Sequence, residues 1–507
     1  MKRTAAIIGV IVLFLAAAIE VRAQAVQNIV LRNSFSPIGA GARGVGMGGA
    51  FIAVADDGSA ATFNPAGLAQ LRRAELSIVG FGSQLRSSVN GSALGQSDQS
   101  SASHSAVDFV GLAIPFEVGT RRLTFQLSYQ RAVDLFGQGQ TILVDELPLT
   151  ELGVDDPGTV GVSVGVVPTK RGALHNISVS AALQVTERLY LGAAFNHWMG
   201  DWTASGTRDT VLFEPSSGPR AGASFKDREL ARIQTQFEQV QSLRGFNVNL
   251  GFLLKYEKVS VGGVLRMPFS GDYRLDELDR HVFFEPSGAS SLPEFDGYGV
   301  TSRLEWPRGG GLGIALRPLG GLTLAADIST TLWSRASIEQ LPDGALLTDT
   351  PIDPEGNLIG GFTDRNFFDL FPKTLTSTTD SSQLRAGAEY LMAFSGVVIP
   401  VRAGLFRTTS PFGNAIEGGS STIRGFTAGT GINFNRFVFD IAFERRESDV
   451  ALGLQRLNRS EAVENPTETL SVDRIVASVI LRFDNDGGLV TFFRGLFVGN
   501  DSEDVSK

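Results

Sequence analysis

The sequence has no cysteine. That excludes a disulfide framework and a thiolate metal site. Histidine is scarce, with four residues at His104, His175, His197 and His281. They lie far apart, and none has the H-x-x-x-H spacing of a zinc helix. No G-x-S-x-G is present, so the nucleophile turn of an esterase is missing. The acidic stretch "TDTPIDPEGN" lacks the D-x-[DN]-x-[DN]-G order of a calcium loop and reads as solvated loop. With a formal net charge of −9, the chain does not carry the basic footprint of a nucleic-acid binder. These absences lead us to expect no enzyme, no metal and no cofactor.

Long apolar runs are also missing, with one exception. Ala5 to Ile19 carries no charge, follows Met1-Lys2-Arg3 and precedes Val21-Arg22-Ala23. It is too short to span a bilayer as a helix, which takes about 20 residues. It reads as a secretory signal over 1–23, cleaved after Ala23. A membrane barrel needs no long apolar run, because its strands alternate.

One motif invites an enzymatic reading. Gly44-Val45-Gly46-Met47-Gly48-Gly49 satisfies G-x-G-x-x-G. A dinucleotide loop must follow a buried strand and open a helix. Here "SFSPIGAGAR" precedes it, with a proline and two glycines, and Asp56-Asp57-Gly58 stops any long helix. The glycines are better read as letting a compact segment pack where side chains do not fit.

From Ala74 onward the chain alternates with period two. Phe246, Val248, Leu250, Phe252 and Leu254 fall on one face, against Asn247, Asn249, Gly251 and Lys255. Leu123, Phe125, Leu127 and Tyr129 behave alike, as do Ile475, Ala477, Val479, Leu481 and Phe483. The alternation predicts strands near 74–83, 106–115, 121–131, 174–185, 187–198, 245–255 and 258–267. It predicts others near 309–317, 321–333, 383–392, 399–408, 424–434, 436–446 and 472–483. That is about fourteen, and an even count suits a bacterial outer-membrane barrel. Every second connection is tight ("FEVGTR", "TE", "YEK", "PLGG", "AFSGVV", "N") and the others are long. An up-and-down membrane barrel sorts its connections this way, with turns on the periplasmic side and loops outside. We therefore expect an all-β, transmembrane antiparallel barrel over 74–483.

Tyr129, Trp198, Trp202, Trp306 and Trp333 lie at strand ends next to the long loops. Tyr190, Tyr256 and Tyr390 lie next to the short turns. They are expected to form two interfacial girdles. Residues 24–73 do not alternate, and are expected to fold into the lumen as an N-terminal plug. Residues 484–507 follow the closing strand as a periplasmic tail.

The stretch "GARGVGMGGAFIAVADDGSAATFNPAGLAQL", with Asn64-Pro65-Ala66-Gly67 at its core, resembles the N-terminal hatch of the FadL/TodX outer-membrane transport family. "LEWPRGGGLGIALRP" with "LTLAADISTTLWSR", and "LRAGAEYLM" with "IPVRAGLFRTTSP", are similar to hairpins of the same family. The resemblance implies a plugged fourteen-strand barrel, multi-pass in the bacterial outer membrane, embedded in its lipid and monomeric. It implies import of long-chain fatty acids or other hydrophobic small molecules by passive diffusion. Ligand would be captured in an outer groove, pass to a site above the hatch, and leave when the hatch moves, in some members sideways into the membrane. Asn64, Pro65, Ala66 and Gly67 carry over as the hatch element nearest that path. Family barrels end on a terminal aromatic; Phe483 holds that place, yet the apolar "LVTFFRGLFVG" follows it.

Two further sets are site candidates. Leu230, Ile233, Phe237 and Val240 have helical spacing in a long loop, and their apolar face could cover neighbouring loops or form one wall of a hydrophobic groove. Phe283 and Phe284 are candidates for the opposing wall. Arg266, Asp327, Arg385, Glu389, Arg402, Asp440, Glu444 and Arg482 fall on lumen faces. Such charges pair with each other or hold a plug, or an arginine such as Arg385 or Arg402 binds a ligand carboxylate. A different class of function, a docking or shuttle barrel of a protein secretion system, stays open at this point.

Overall fold

The computed structural model describes residues 39–90, 98–138, 141–148, 159–214, 229–284, 294–347, 380–413, 420–451 and 467–483. The expected signal, residues 24–38 of the expected plug, the tail after Phe483 and the TDTPIDPEGN loop lie outside them.

The described residues form one closed antiparallel barrel of 14 strands. They are β1 (Ala74–Asn90), β2 (Asp98–Val118), β3 (Arg121–Asp134), β4 (Thr159–Gln184), β5 (Leu189–Phe213) and β6 (Glu229–Lys255). Next come β7 (Val259–Arg266 and Phe269–Phe284), β8 (Glu294–Trp306 and Gly309–Leu316) and β9 (Leu322–Thr331 and Ser337–Leu347). The last are β10 (Ser381–Phe394), β11 (Val397–Gly413), β12 (Ser420–Asn433), β13 (Phe437–Ala451) and β14 (Thr467–Phe483). Short runs after β3 continue its pairing along β4. β14 returns to β1 in continuous register, from Ala74 opposite Phe483 to Asn90 opposite Thr467. Phe483 therefore ends the strand that closes the barrel.

Each expected strand corresponds to one of these, and each expected tight turn joins an even-numbered strand to the next. The strands run further than the alternation alone suggested. β6 has 27 residues, about 90 Å of chain at ~3.3 Å per residue, where a bilayer needs only about 9–11 residues.

The two faces separate as the alternation requires. Phe246 is 55% and Leu250 45% exposed, while Asn247 is buried. Phe125 and Leu127 stand out on β3, and Thr124, Gln126 and Ser128 point in. Because every backbone donor in a closed ladder is paired, such a belt can face lipid.

Residues 39–73 lie within the barrel. They comprise α1 (Ala42–Gly46) and two 3-10 turns, Ala60–Thr62 and Pro65–Gln70. Most of their apolar side chains form a core with inward residues including Ala113, Ala182, Leu253 and Ala325, while Ala40, Ala42 and Val45 pack in a second cluster with Val79, Phe81, Phe109, Ala442 and Val476. The G-x-G-x-x-G glycines serve this packing. Gly48 has φ +69°, and a Cβ there would come within 2.9 Å of the Ala386 carbonyl on β10.

Candidate functional site: a lumen chamber above the inner segment

Three neighbouring strands break at one level. β7 is interrupted at Met267-Pro268, β8 at Pro307-Arg308, and β9 at the 3-10 turn Trp333–Arg335. Proline has no N–H to give to a ladder, so Pro268 and Pro307 end the pairing there. Pairing resumes with Phe269 opposite Trp306 and with Gly309 opposite both Arg266 and Thr331.

A cavity of about 100 Å³ lies at these breaks, lined by Trp198, Arg266, Trp306 and Trp333 among others, with Gly39, Ala61 and Thr62 of the inner segment. Its aromatic wall is continuous. Trp198 stacks on Phe269 and on Trp306, with centroids 5.8 and 6.1 Å apart, and Trp306 meets Trp333 edge-on at 5.1 Å. The facing wall carries amides. Asn247 Oδ1 accepts from Asn196 Nδ2 and from Trp198 Nε1, both at 2.9 Å, which fixes the indole plane.

The inner segment is held from several sides, including Glu75 on β1, which accepts from Gly58 N at 2.9 Å. On β10–β13, Glu389 accepts from Arg43 Nε (2.9 Å) and Arg402 Nε (2.7 Å), and Arg402 Nη1 donates to Asp440 (2.6 Å). Arg43 also pairs with Asp56 of its own segment at 2.5 Å. Thr427 accepts from Gly48 N and donates to the Gly46 carbonyl. On β5 and β6 the contact has no ion pair; Lys255 donates to Gln70 at 2.7 Å. Asn64 is fully buried. It caps the Pro65–Gln70 turn through Ala66 N, and its amide donates to the Ile52 and Phe252 carbonyls, each at 2.9 Å. Pro65 and Ala66 rest on Gly192 and Gly251, where a Cβ would approach to 2.4 Å and, against Asn64 Oδ1, to 2.1 Å. Gly67 lies against the Ala55 carbonyl. On β9, Asp327 accepts from Phe51 N (2.7 Å) and Ile52 N (2.9 Å).

The structure therefore places the sequence candidates unevenly. Asn64, Pro65, Ala66 and Gly67 sit together between the inner segment and the wall. Arg402 is engaged by two carboxylates, and Arg385 donates to Gln383 at 2.5 Å beneath Gly49. Neither lines the chamber. Arg266 does, and it had been only one of eight lumen charges.

The expected amphipathic helix is not formed. Residues 229–255 are one strand, so Ile233 and Phe237 face inward with Thr235 and Gln239, while Val240 points outward with Leu230 on its face. Arg208 covers the Phe237 ring at 5.8 Å. The register sets Phe283 opposite Ile233 and Phe284 opposite Arg232. The positions are adjacent across two strands, but they do not form a helix-walled groove.

The girdle expectation also needs correcting. Tyr256 and Tyr390 are outward and exposed, but Tyr190, Trp202 and Trp333 are buried, and Trp198 and Trp306 line the chamber. Parity carried the signal. Phe195 faces out, so Trp198, three residues on, must face in.

No protein-family model and no curated protein sequence matches the chain. Solved structures do. The toluene transporter TodX of P. putida matches with a TM-score of 0.54 and 16% identity, over 89% of this chain and 100% of that one. A Pseudomonas aeruginosa FadL homologue matches with a TM-score of 0.52 and 13% identity, over 89% and 100%. The chain has the FadL/TodX channel fold. At these identities the likeness is one of architecture: a 14-strand outer-membrane-type barrel.

Proposed function

We propose that the protein is an outer-membrane channel that takes up small hydrophobic molecules by passive diffusion, with residues 39–73 as a movable hatch. The observation that carries this reading is the chamber with one aromatic wall resting directly on that segment, inside a barrel with an apolar outer face. The shared fold with a toluene transporter and a FadL homologue supports it. A mostly closed site with apolar walls and a few fixed polar groups is how greasy ligands are held. The volume favours compact solutes over long acyl chains. About 100 Å³ is of the order of the ~150 Å³ cavity that accepts benzene, and below the ~300–1,000 Å³ of sites for drug-sized ligands.

The ligand moves the hatch only as far as it binds the open arrangement more tightly than the closed one. The neutral Asn64–Pro65 contact is the side we assign to that motion. The test is uptake of labelled toluene and of a long-chain fatty acid by cells expressing the protein in a host without hydrophobic-solute channels. Faster entry of toluene than in vector controls is expected. Equal entry of both solutes with and without the protein would remove the proposal.

A further inference from the structure

Arg266 is the only charged side chain among the described residues lining the chamber. It makes no hydrogen bond or ion pair with any described residue. The acid whose charge acts on it, Asp327, accepts two backbone N–H groups of the inner segment on Oδ2, and its Oδ1 has no hydrogen bond among the described residues. The register puts Arg266 between Asn249 on β6 and Gly309 on β8, both also lining the chamber. Gly309 has no side chain to cover the guanidinium, and Asn249 offers an amide beside it. Of the other cations beside the inner segment, Arg43 and Arg402 are held by carboxylates, Lys255 by Gln70 and Arg122 by a carbonyl, while Arg385 bonds Gln383 beneath Gly49 and does not line the chamber.

A partly buried cation that lines a cavity with aromatic and amide walls, and has no hydrogen-bonded acid among the described residues, is a place where a ligand anion is stabilised. Arginine presents a planar donor fork that matches a carboxylate in two parallel hydrogen bonds. Trp198, Trp306 and Trp333 present ring faces and edges where a ligand ring can stack. The cavity is small, so cation and rings are within reach of one compact molecule.

Building on the channel reading, we propose that the chamber selects small aromatic carboxylates, with the ring held by the tryptophans and the carboxylate by Arg266. A neutral hydrocarbon would use only the first half of this site, and an aliphatic acid only the second.

The protein carries its own reporter, because three of its four tryptophans line the chamber. Tryptophan emission of the full-length protein in lipid nanodiscs is titrated with benzoate, toluene and octanoate. Benzoate is expected to bind roughly tenfold or more tightly than either. Arg266→Gln should erase that preference while leaving toluene within about twofold, and Arg266→Lys should keep part of it. Heat-modifiable gel migration of each variant reports that the barrel is folded. If toluene binds as well as benzoate, or Arg266→Gln leaves benzoate unchanged, the anion site is wrong while the hydrophobic channel stands. If none of the three ligands alters the emission, the chamber is not a ligand site and both readings fall.

Discussion

The inner segment meets the barrel in two contrasting ways. Against β10–β13 it is tied by charges: Arg43, Glu389, Arg402 and Asp440 form an unbroken chain of ion pairs, and Glu389 is 1% exposed. Against β5 and β6 it is a close fit of Pro65 and Ala66 onto two glycines, fixed by the Asn64 amide and by Lys255 donating to Gln70, with no ion pair. Pulling a buried ion pair apart leaves uncompensated charge in a low-dielectric site. Sliding a proline off glycine exposes little and breaks few hydrogen bonds. The first flank is built as an anchor and the second as a surface that can part.

The contrast predicts a graded series. Glu389→Gln leaves Arg43 and Arg402 without their shared partner. It should lower the unfolding free energy by about 3–5 kcal/mol, read as an earlier transition in heat-modifiable migration. It should also make a Ser59→Cys probe, buried in the intact protein, label faster from outside. Leu250→Arg comes next. It puts a cation on the lipid face at a cost of roughly 2–4 kcal/mol near the bilayer midplane, and a refolding titration should show it, while Asn249→Arg, inside, costs less. Asn64→Ala with Pro65→Ala should cost about 1–3 kcal/mol from the lost buried hydrogen bonds, confined to the hatch. It should change hydrophobic-solute uptake while barrel migration stays near wild type. Smallest is Arg86→Ala, which removes an exposed pair with Asp473 outside the lumen. We expect about 0–1 kcal/mol and unaltered uptake. A large effect of Arg86→Ala, or none of Glu389→Gln, would break the contrast.

The barrel was legible because one face of every strand meets lipid, so hydrophobic alternation had to be written along the chain. Phe246 to Leu254 shows it directly, as does the sorting of tight and long connections. Above the membrane that constraint disappears. Both faces of the upper part of β6 are mixed, so Ile233 and Phe237, four apart, satisfy a helical template as well as a strand. Only the alternation of Ile233, Thr235 and Phe237 with Gln234, Gln236 and Glu238 distinguishes the two. The tryptophans were misplaced because a girdle template was set above parity. The charge chain was legible only as inward-facing residues. Glu389 and Arg402 face each other across one hairpin, 13 residues apart, but Arg43 is 346 residues from Glu389, and only the closed barrel brings it to them. That Arg266 has no hydrogen-bonded carboxylate among the described residues while Arg402 has two depends on the closed barrel, and no local pattern records this.

The central claim is that the hatch opens at β5–β6 and stays fixed at β10–β13. The absence of cysteine makes two engineered disulfides clean probes. A Cβ on Gly46 would lie 3.3 Å from the Gly429 Cα, and one on Gly251 lies against the Asn64 side chain, within reach of disulfide geometry. Uptake of a hydrophobic solute is measured for each double variant, oxidised and then reduced. The account predicts that the Gly46→Cys/Gly429→Cys bridge leaves uptake unchanged. The Asn64→Cys/Gly251→Cys bridge should abolish it until reductant is added. Uptake that persists with the second bridge closed, or fails with the first, would contradict it.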